Sequence, residues 1–130
     1  YRPIIGIDLS EEMLKVARTK DIYSELHRMT LGETLDFADD SFCAVVCSGV
    51  LTPGHAPPSS FTELVRVTRP GAPMVFALRD DARQLPGYHE AVAELEQVGA
   101  WSKVFSSRRY QSMPFGEPDV FHRVHVYRKR

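Results

Sequence analysis

A chain of 130 residues, 43% hydrophobic and 25% charged, is one domain of ordinary globular composition, short for an enzyme that holds a cofactor and a substrate. Its net charge of −1 excludes a global electrostatic footprint for nucleic acid or a membrane surface. No apolar run approaches the ~18 residues of a membrane span and no signal or transit pattern is visible, so the expected setting is cytoplasmic.

The chain opens on Tyr1 rather than Met, which implies a preceding segment. Ile4-Ile5-Gly6-Ile7 is a short continuous apolar run ending at Asp8, the pattern of a strand buried on both faces of a parallel sheet. Ser10 then reads as an N-cap, Glu11 and Glu12 favour the positive end of the helix dipole, and Met13, Leu14 and Ala17 supply an apolar stripe. A mixed segment over residues 27–37 includes a short strand signal near Arg28 to Leu31. Phe42 to Cys47 reads as the clearest buried strand, and residues 48–60 as a loop rich in Gly, Pro and Ser. Phe61 to Val67 is a helix, stopped by Arg69-Pro70-Gly71; Met74 to Leu78 is a further buried strand. Tyr88 to Val98 is a periodic helix closed by Gly99. Trp101 to Tyr110 has strand character, and Val120 to Tyr127 alternates as a half-exposed antiparallel edge strand does. Strand and helix signals in alternation predict a doubly wound α/β sheet, mostly parallel, ending in an antiparallel hairpin.

Cys43 and Cys47 are expected to flank one strand, about 13 Å apart at ~3.3 Å per residue and too distant for a disulfide, which favours free thiols and a reducing compartment. His27, His55, His89, His122 and His125 form no ligand-like grouping with them, so no metal site is expected. Arg128-Lys129-Arg130 reads as a solvated tail.

In doubly wound sheets ligands sit at the carboxyl ends of the strands. One such end is Asp8, whose carboxylate either accepts hydrogen bonds from vicinal ribose hydroxyls or merely caps the following turn. Another is Thr30-Leu31-Gly32, where backbone groups can face a planar base. A third is Cys47-Ser48-Gly49, where small residues either let a ligand approach the backbone or simply form a tight turn.

The order of these pieces carries a resemblance. Ile5 to Leu14 resembles the "G-D-S-x-x-M-L" string after the second strand of class I S-adenosylmethionine (SAM) methyltransferases. Leu35-Asp36-Phe37-Ala38-Asp39-Asp40-Ser41-Phe42 is similar to their "L-P-F-x-D-x-S-F-D" string, and Glu63 to Gly71 to their "E-x-x-R-V-L-K-P-G-G" string. Leu95 to Trp101 resembles more narrowly the methyltransferase-like family of the Williams–Beuren syndrome region.

The resemblance implies SAM as cofactor and a small-molecule or protein side chain as methyl acceptor. It implies that Asp8 holds the ribose, that Leu9 and Met13 pack on the adenine (their alternative being core), that Thr30 and Leu31 present backbone to the base, and that Cys47 and Ser48 line the methionine portion. Leu31 stands where the family often has an acidic residue; Cys43 replaces an aspartate and Ala72 a glycine. The family's first strand and its glycine-rich turn would precede Tyr1, which implies an incomplete sheet and weak SAM binding by these residues alone. His55, in the Pro53-to-Pro58 loop, is the candidate base; its alternative is a merely exposed loop histidine. A non-catalytic methyltransferase-like binding domain is a second reading, and an NAD-binding oxidoreductase shares Asp8 but fits the later strings poorly. No nucleic-acid or membrane partner is expected, and the oligomeric state is left open.

Periodicity makes one further expectation. Val120, His122, Val124 and Val126 share a strand face, and the short loop over residues 112–119 makes this strand antiparallel to the one near Val104 to Tyr110. Val124 and Val126 are expected to face the helix over Tyr88 to Val98 or its neighbour.

Overall fold

The computed structural model describes residues 3–80 and 87–130; Tyr1, Arg2 and residues 81–86 lie outside the described residues. Strand β1 (Ile5–Asp8) leads into helix α1 (Glu11–Arg18), and β2 (Glu25–Arg28) pairs parallel to β1 with Ile5 opposite Glu25 and Asp8 opposite Arg28. Ser10 caps α1, its hydroxyl accepting from the Met13 amide at 3.3 Å. The one buried side chain of this helix is Leu14.

The larger sheet is built from β3 (Val45–Cys47), β4 (Pro73–Arg79), β5 (Trp101–Ser106), β6 (Tyr110–Gln111) and β7 (Phe121–Lys129), in the order β3-β4-β7-β5 with β6 also on β7. Between them run helices α2 (Ser60–Val67) and α3 (Tyr88–Gln97). Gly87 precedes α3 at φ +94°, a left-handed conformation favoured by glycine, and its amide donates to Glu90 Oε2 at 2.9 Å. Gly99 follows α3 at φ +74° and ends it as expected.

β3 and β4 are parallel, whereas β7 is antiparallel to both β4 and β5. The α/β class and the closing antiparallel hairpin are therefore as the pattern implied. The position of β7 is not. It is an interior strand, because the hairpin from β5 returns into the space beside β4, and ladders form on both its sides.

The two faces of β7 also exchange roles. Met74, Phe76 and Leu78 are buried on the face that carries Tyr127, His125 and Arg123 by cross-strand pairing. Trp101 ties this face to α3 by donating its indole N–H to the Val92 carbonyl at 3.2 Å. Tyr127 meets Trp101 at 4.5 Å between centroids, and Phe61 from α2 meets Phe76 at 5.0 Å. Val124 and Val126 lie on the opposite face, opposite Ala77 and Val75, and stay half-buried. Valine periodicity marked the wrong face because large aromatics bury more apolar area than valines, and they decide which side faces the helices.

Phe42 to Cys47 likewise shortens to Val45–Cys47, with Cys43 exposed and outside the strand. The cysteines are free, and burial raises the Cys47 thiol to about 11. The strand signal near Arg28 to Leu31 belongs to Glu25–Arg28.

His125 sits within the aromatic cluster. Its ring stacks on Phe76 at 5.6 Å between centroids, and Nδ1 lies 2.9 Å from the Ser106 hydroxyl. Burial first, then the neighbouring charges of His89, Lys103 and Arg123, push its pKa down to about 4. An unfolded histidine takes up its proton near pH ~6.5. Between those values the unfolded chain binds a proton that the native chain refuses. This contribution to stability is thus complete above pH ~6.5 and is lost as pH falls towards 4. Urea midpoints should rise with pH across that window, and His125→Phe should flatten the rise. An unchanged slope in the variant would assign the titration elsewhere.

Candidate cofactor site

Two sheets without a shared ladder are brought together at their carboxyl ends by contacts that start at Asp8. The Met29 amide donates to the Asp8 carbonyl at 3.2 Å, and Arg28 Nε donates to the Leu9 carbonyl at 3.1 Å, so the ends of β1 and β2 are fastened together. The chain then reaches Leu31, which packs against the core of the larger sheet, and Gly32, at φ +103°. A Cβ on Gly32 would lie 2.5 Å from Pro57 Cγ. Pro57 belongs to the loop that follows β3. The segment after β2 and the loop after β3 are therefore in van der Waals contact, and the carboxyl ends of β1, β2 and β3 border one region. Gly32→Ala combines a positive φ with that overlap. It should destabilise the protein by about 2–4 kcal/mol in chemical denaturation; a loss under ~0.5 kcal/mol would mean that this contact does not hold the two sheets together.

Within this region Asp8 is half-buried, and its Oδ1 accepts from the Ser10 amide at 2.8 Å. Its other carboxylate oxygen has no partner among the described residues. The capping reading of Asp8 is thus met by one oxygen, which closes the turn into α1. Leu9 and Met13 are 54% and 56% exposed, which removes the core alternative for both. Two large apolar side chains held in water beside an open carboxylate suit a ligand with a planar apolar face and a diol.

The other candidates separate by side chain and backbone. Leu31 is half-buried with its side chain packed against the core cluster, and Cys47 is buried within it, so Cys47 can offer a ligand only its backbone. Thr30 is half-buried and its carbonyl accepts from the Glu33 amide at 3.3 Å. Ser48 is exposed. Gly49, at φ +73°, has nothing within 4 Å of where a Cβ would stand, so the backbone there borders open space. His55 is exposed, with Nδ1 3.2 Å from the Thr52 hydroxyl.

A depression of about 240 Å³, lined by Ala17, Arg18, Asp21 and residues 23–26, lies at the opposite end of β2 from this region. It shares no residue with the candidate site. No group of His, Cys, Asp and Glu able to hold a metal occurs among the described residues. None of the described helices is long and apolar enough to cross a membrane.

The site is held from behind by a clamp that composition did not reveal. Glu63 and Arg66 of α2 grip residues 35–39: Glu63 Oε2 accepts from the Leu35 amide at 2.9 Å, and Arg66 donates to the carbonyls of Leu35 at 2.9 Å and Phe37 at 2.8 Å. Arg66 also pairs with Asp39 at 2.7 Å and with Glu63. The second and third of the sequence strings are therefore two halves of one hydrogen-bonded joint.

Residues 1–76 match the family model described as a methyltransferase domain. The chain is 31% identical over 119 residues to a phosphatidylethanolamine N-methyltransferase of Cereibacter sphaeroides, the match covering 85% of this chain and 58% of that protein. It thus spans little more than half the length of this curated relative. Among solved structures, a SAM-dependent methyltransferase of Methanosarcina mazei superposes with a TM-score of 0.75 at 16% identity, covering 98% of this chain and 82% of the other. The [4+2]-cyclase SpnF superposes at 0.72 with 12% identity, covering 98% of this chain and 66% of the other, so this fold also occurs in a protein named for different chemistry. With the matched domain covering more than half of its residues, the chain belongs to the methyltransferase-domain family.

Proposed function

We propose that the protein binds SAM at the carboxyl ends of β1, β2 and β3 and takes part in methyl transfer from it. The observation that supports this most is the Asp8 carboxylate, with one oxygen bound to its own turn and the other open beside exposed Leu9 and Met13. In this reading Asp8 accepts from the ribose hydroxyls, Leu9 and Met13 cover the adenine, and Thr30 and Leu31 offer backbone to the base. Cys47 contributes backbone and Ser48 backbone or hydroxyl to the methionine portion, with Gly49 leaving the approach clear. SAM supplies an electrophilic methyl group on a sulfonium; the chain's part is to position the acceptor and to keep its nucleophile deprotonated. His55 is the side chain we assign to that last role. It stands in the loop after β3, and a hydrogen bond from the Thr52 hydroxyl to Nδ1 would leave Nε2 carrying the proton, so the acceptor proton must be taken after Thr52 turns away or by relay through it.

For the acceptor we propose a phospholipid amine, on the strength of the relative from Cereibacter sphaeroides. The narrower kinship with the Williams–Beuren region family rests on Leu95 to Trp101 and leaves the acceptor open. Incubation with methyl-labelled SAM and phosphatidylethanolamine dispersed in detergent should place label in the lipid. Label absent from the lipid, under conditions where SAM binds, would refute the lipid acceptor and leave the cofactor site standing.

A further inference from the structure

The loop that joins β6 to β7 holds Met113, Pro114 and Phe115 at its tip, with Phe115 fully exposed and Met113 nearly half exposed. Tyr110, also exposed, stands at its base. The flanking cations are Arg108, which has no side-chain partner among the described residues, and Arg109, whose guanidinium lies 4.0 Å from the centre of the Phe121 ring. From Trp101 to Gly116 there is no carboxylate; Glu117 and Asp119 follow on the far side of the tip. Isolated exposed apolar residues are ordinary. Here an aromatic and a methionine share one protruding tip, with a tyrosine and two arginines behind it, which is the arrangement of an interfacial anchor: apolar groups that enter the acyl boundary and cations that stay among headgroups. The formal charges of residues 108–119 cancel, and the cations are confined to one flank of the tip and the carboxylates to the other.

Position adds to composition. The loop leaves β6 and returns to the amino end of β7, where His122 pairs with both Tyr110 and Arg79, the latter at the carboxyl end of β4. It therefore projects from the end of the sheet that carries the candidate site. We propose that this loop docks the protein on an anionic phospholipid bilayer, with Phe115 and Met113 inserted and Arg108 and Arg109 on the headgroups. The proposal rests on the reading of a phospholipid acceptor, because without detergent such an acceptor presents its amine at a bilayer surface.

Flotation with vesicles of phosphatidylglycerol and phosphatidylethanolamine, compared with phosphatidylcholine alone, tests it without SAM. The chain should float with the anionic vesicles, and a Met113→Ser, Phe115→Ser double variant should lose at least fivefold in the bound fraction while keeping its circular dichroism. Arg108→Glu should weaken binding and its salt dependence. A Phe115→Trp variant should shift its emission to the blue on the same vesicles, against the constant background of buried Trp101. No flotation, equal binding to phosphatidylcholine, or a double variant that binds like the parent would each overturn the docking surface. The two readings fail separately: flotation without methylation of detergent-dispersed lipid removes the acceptor alone, whereas methylation in detergent without flotation removes the docking surface alone.

Discussion

In a full-length protein, replacing Asp8 with alanine should lower SAM affinity at least tenfold while leaving the chain folded. The carboxylate is expected to accept from the vicinal ribose hydroxyls, and a hydrogen bond to a charged group is worth ~1.5–3 kcal/mol. Two such bonds would exceed tenfold comfortably, since ~1.4 kcal/mol is one decade. The loss stays near that lower bound because Oδ1 already accepts from the Ser10 amide, so a bound ribose shares one oxygen with the turn. Asp8→Asn separates the two duties. Its amide oxygen can still receive the Ser10 amide, which preserves the start of α1, but its nitrogen cannot accept. Asn should therefore match Ala in affinity and the parent in thermal stability. Calorimetric titration of the three proteins decides it, and an Asp8→Ala protein that binds as the parent does would place the ribose elsewhere.

Arg66→Ala should be among the most destabilising single changes outside the aromatic core. The guanidinium joins Glu63 and Asp39 to the carbonyls of Leu35 and Phe37, and it lies on the joint that fixes the segment between β2 and β3. Truncation leaves the half-buried Phe37 carbonyl without a partner among the described residues and the Leu35 carbonyl with the Phe37 amide alone, at about 1–3 kcal/mol. It also leaves Glu63, whose carboxyl is mostly buried and held below the usual range by the Arg66 hydrogen bond, without its cation. A fall in Tm of roughly 5–10 °C is expected for a chain of this size. Arg66→Lys should recover little of it, because a point charge cannot reach four acceptors as a planar fork does. The Glu63 part has a sign that can be checked. Its folded pKa is lowered, so the stability it adds is complete above the unfolded value of ~4.3 and fades as pH falls through the folded value. Below that pH the gap between the parent and Arg66→Ala should narrow to what the Leu35 and Phe37 carbonyls contribute.

The sequence strings were legible because they encode two kinds of local fact. Asp8 ends an apolar run and stands before a good cap, so strand, turn and helix follow from neighbours in the chain. Glu63 and Arg66 share one face of α2 at a spacing of three, and they read as helix surface until the structure shows them gripping Leu35, Phe37 and Asp39. That pairing spans some thirty residues of chain, and no periodicity carries it. β7 shows the same boundary from the other side. Its alternation gave two faces and its short loop gave an antiparallel partner, both from local signals. Which face meets α3, and whether a second neighbour lies beyond, depended on where β4 and its aromatic residue Phe76 arrive. Leu31 and Cys47 were placed near a ligand by their order in the chain; their side chains turn inward because the core cluster needs their volume.

Backbone amide shifts during titration with S-adenosylhomocysteine, the demethylated product, test the cofactor site most directly, since weak binding still moves resonances. Changes should concentrate in residues 6–13, 29–32 and 47–50, the carboxyl ends of β1, β2 and β3, and should need at least tenfold more ligand in Asp8→Ala. Shifts centred instead on Ala17 to Leu26, or a saturating titration that leaves residues 6–13 unmoved, would contradict the assignment.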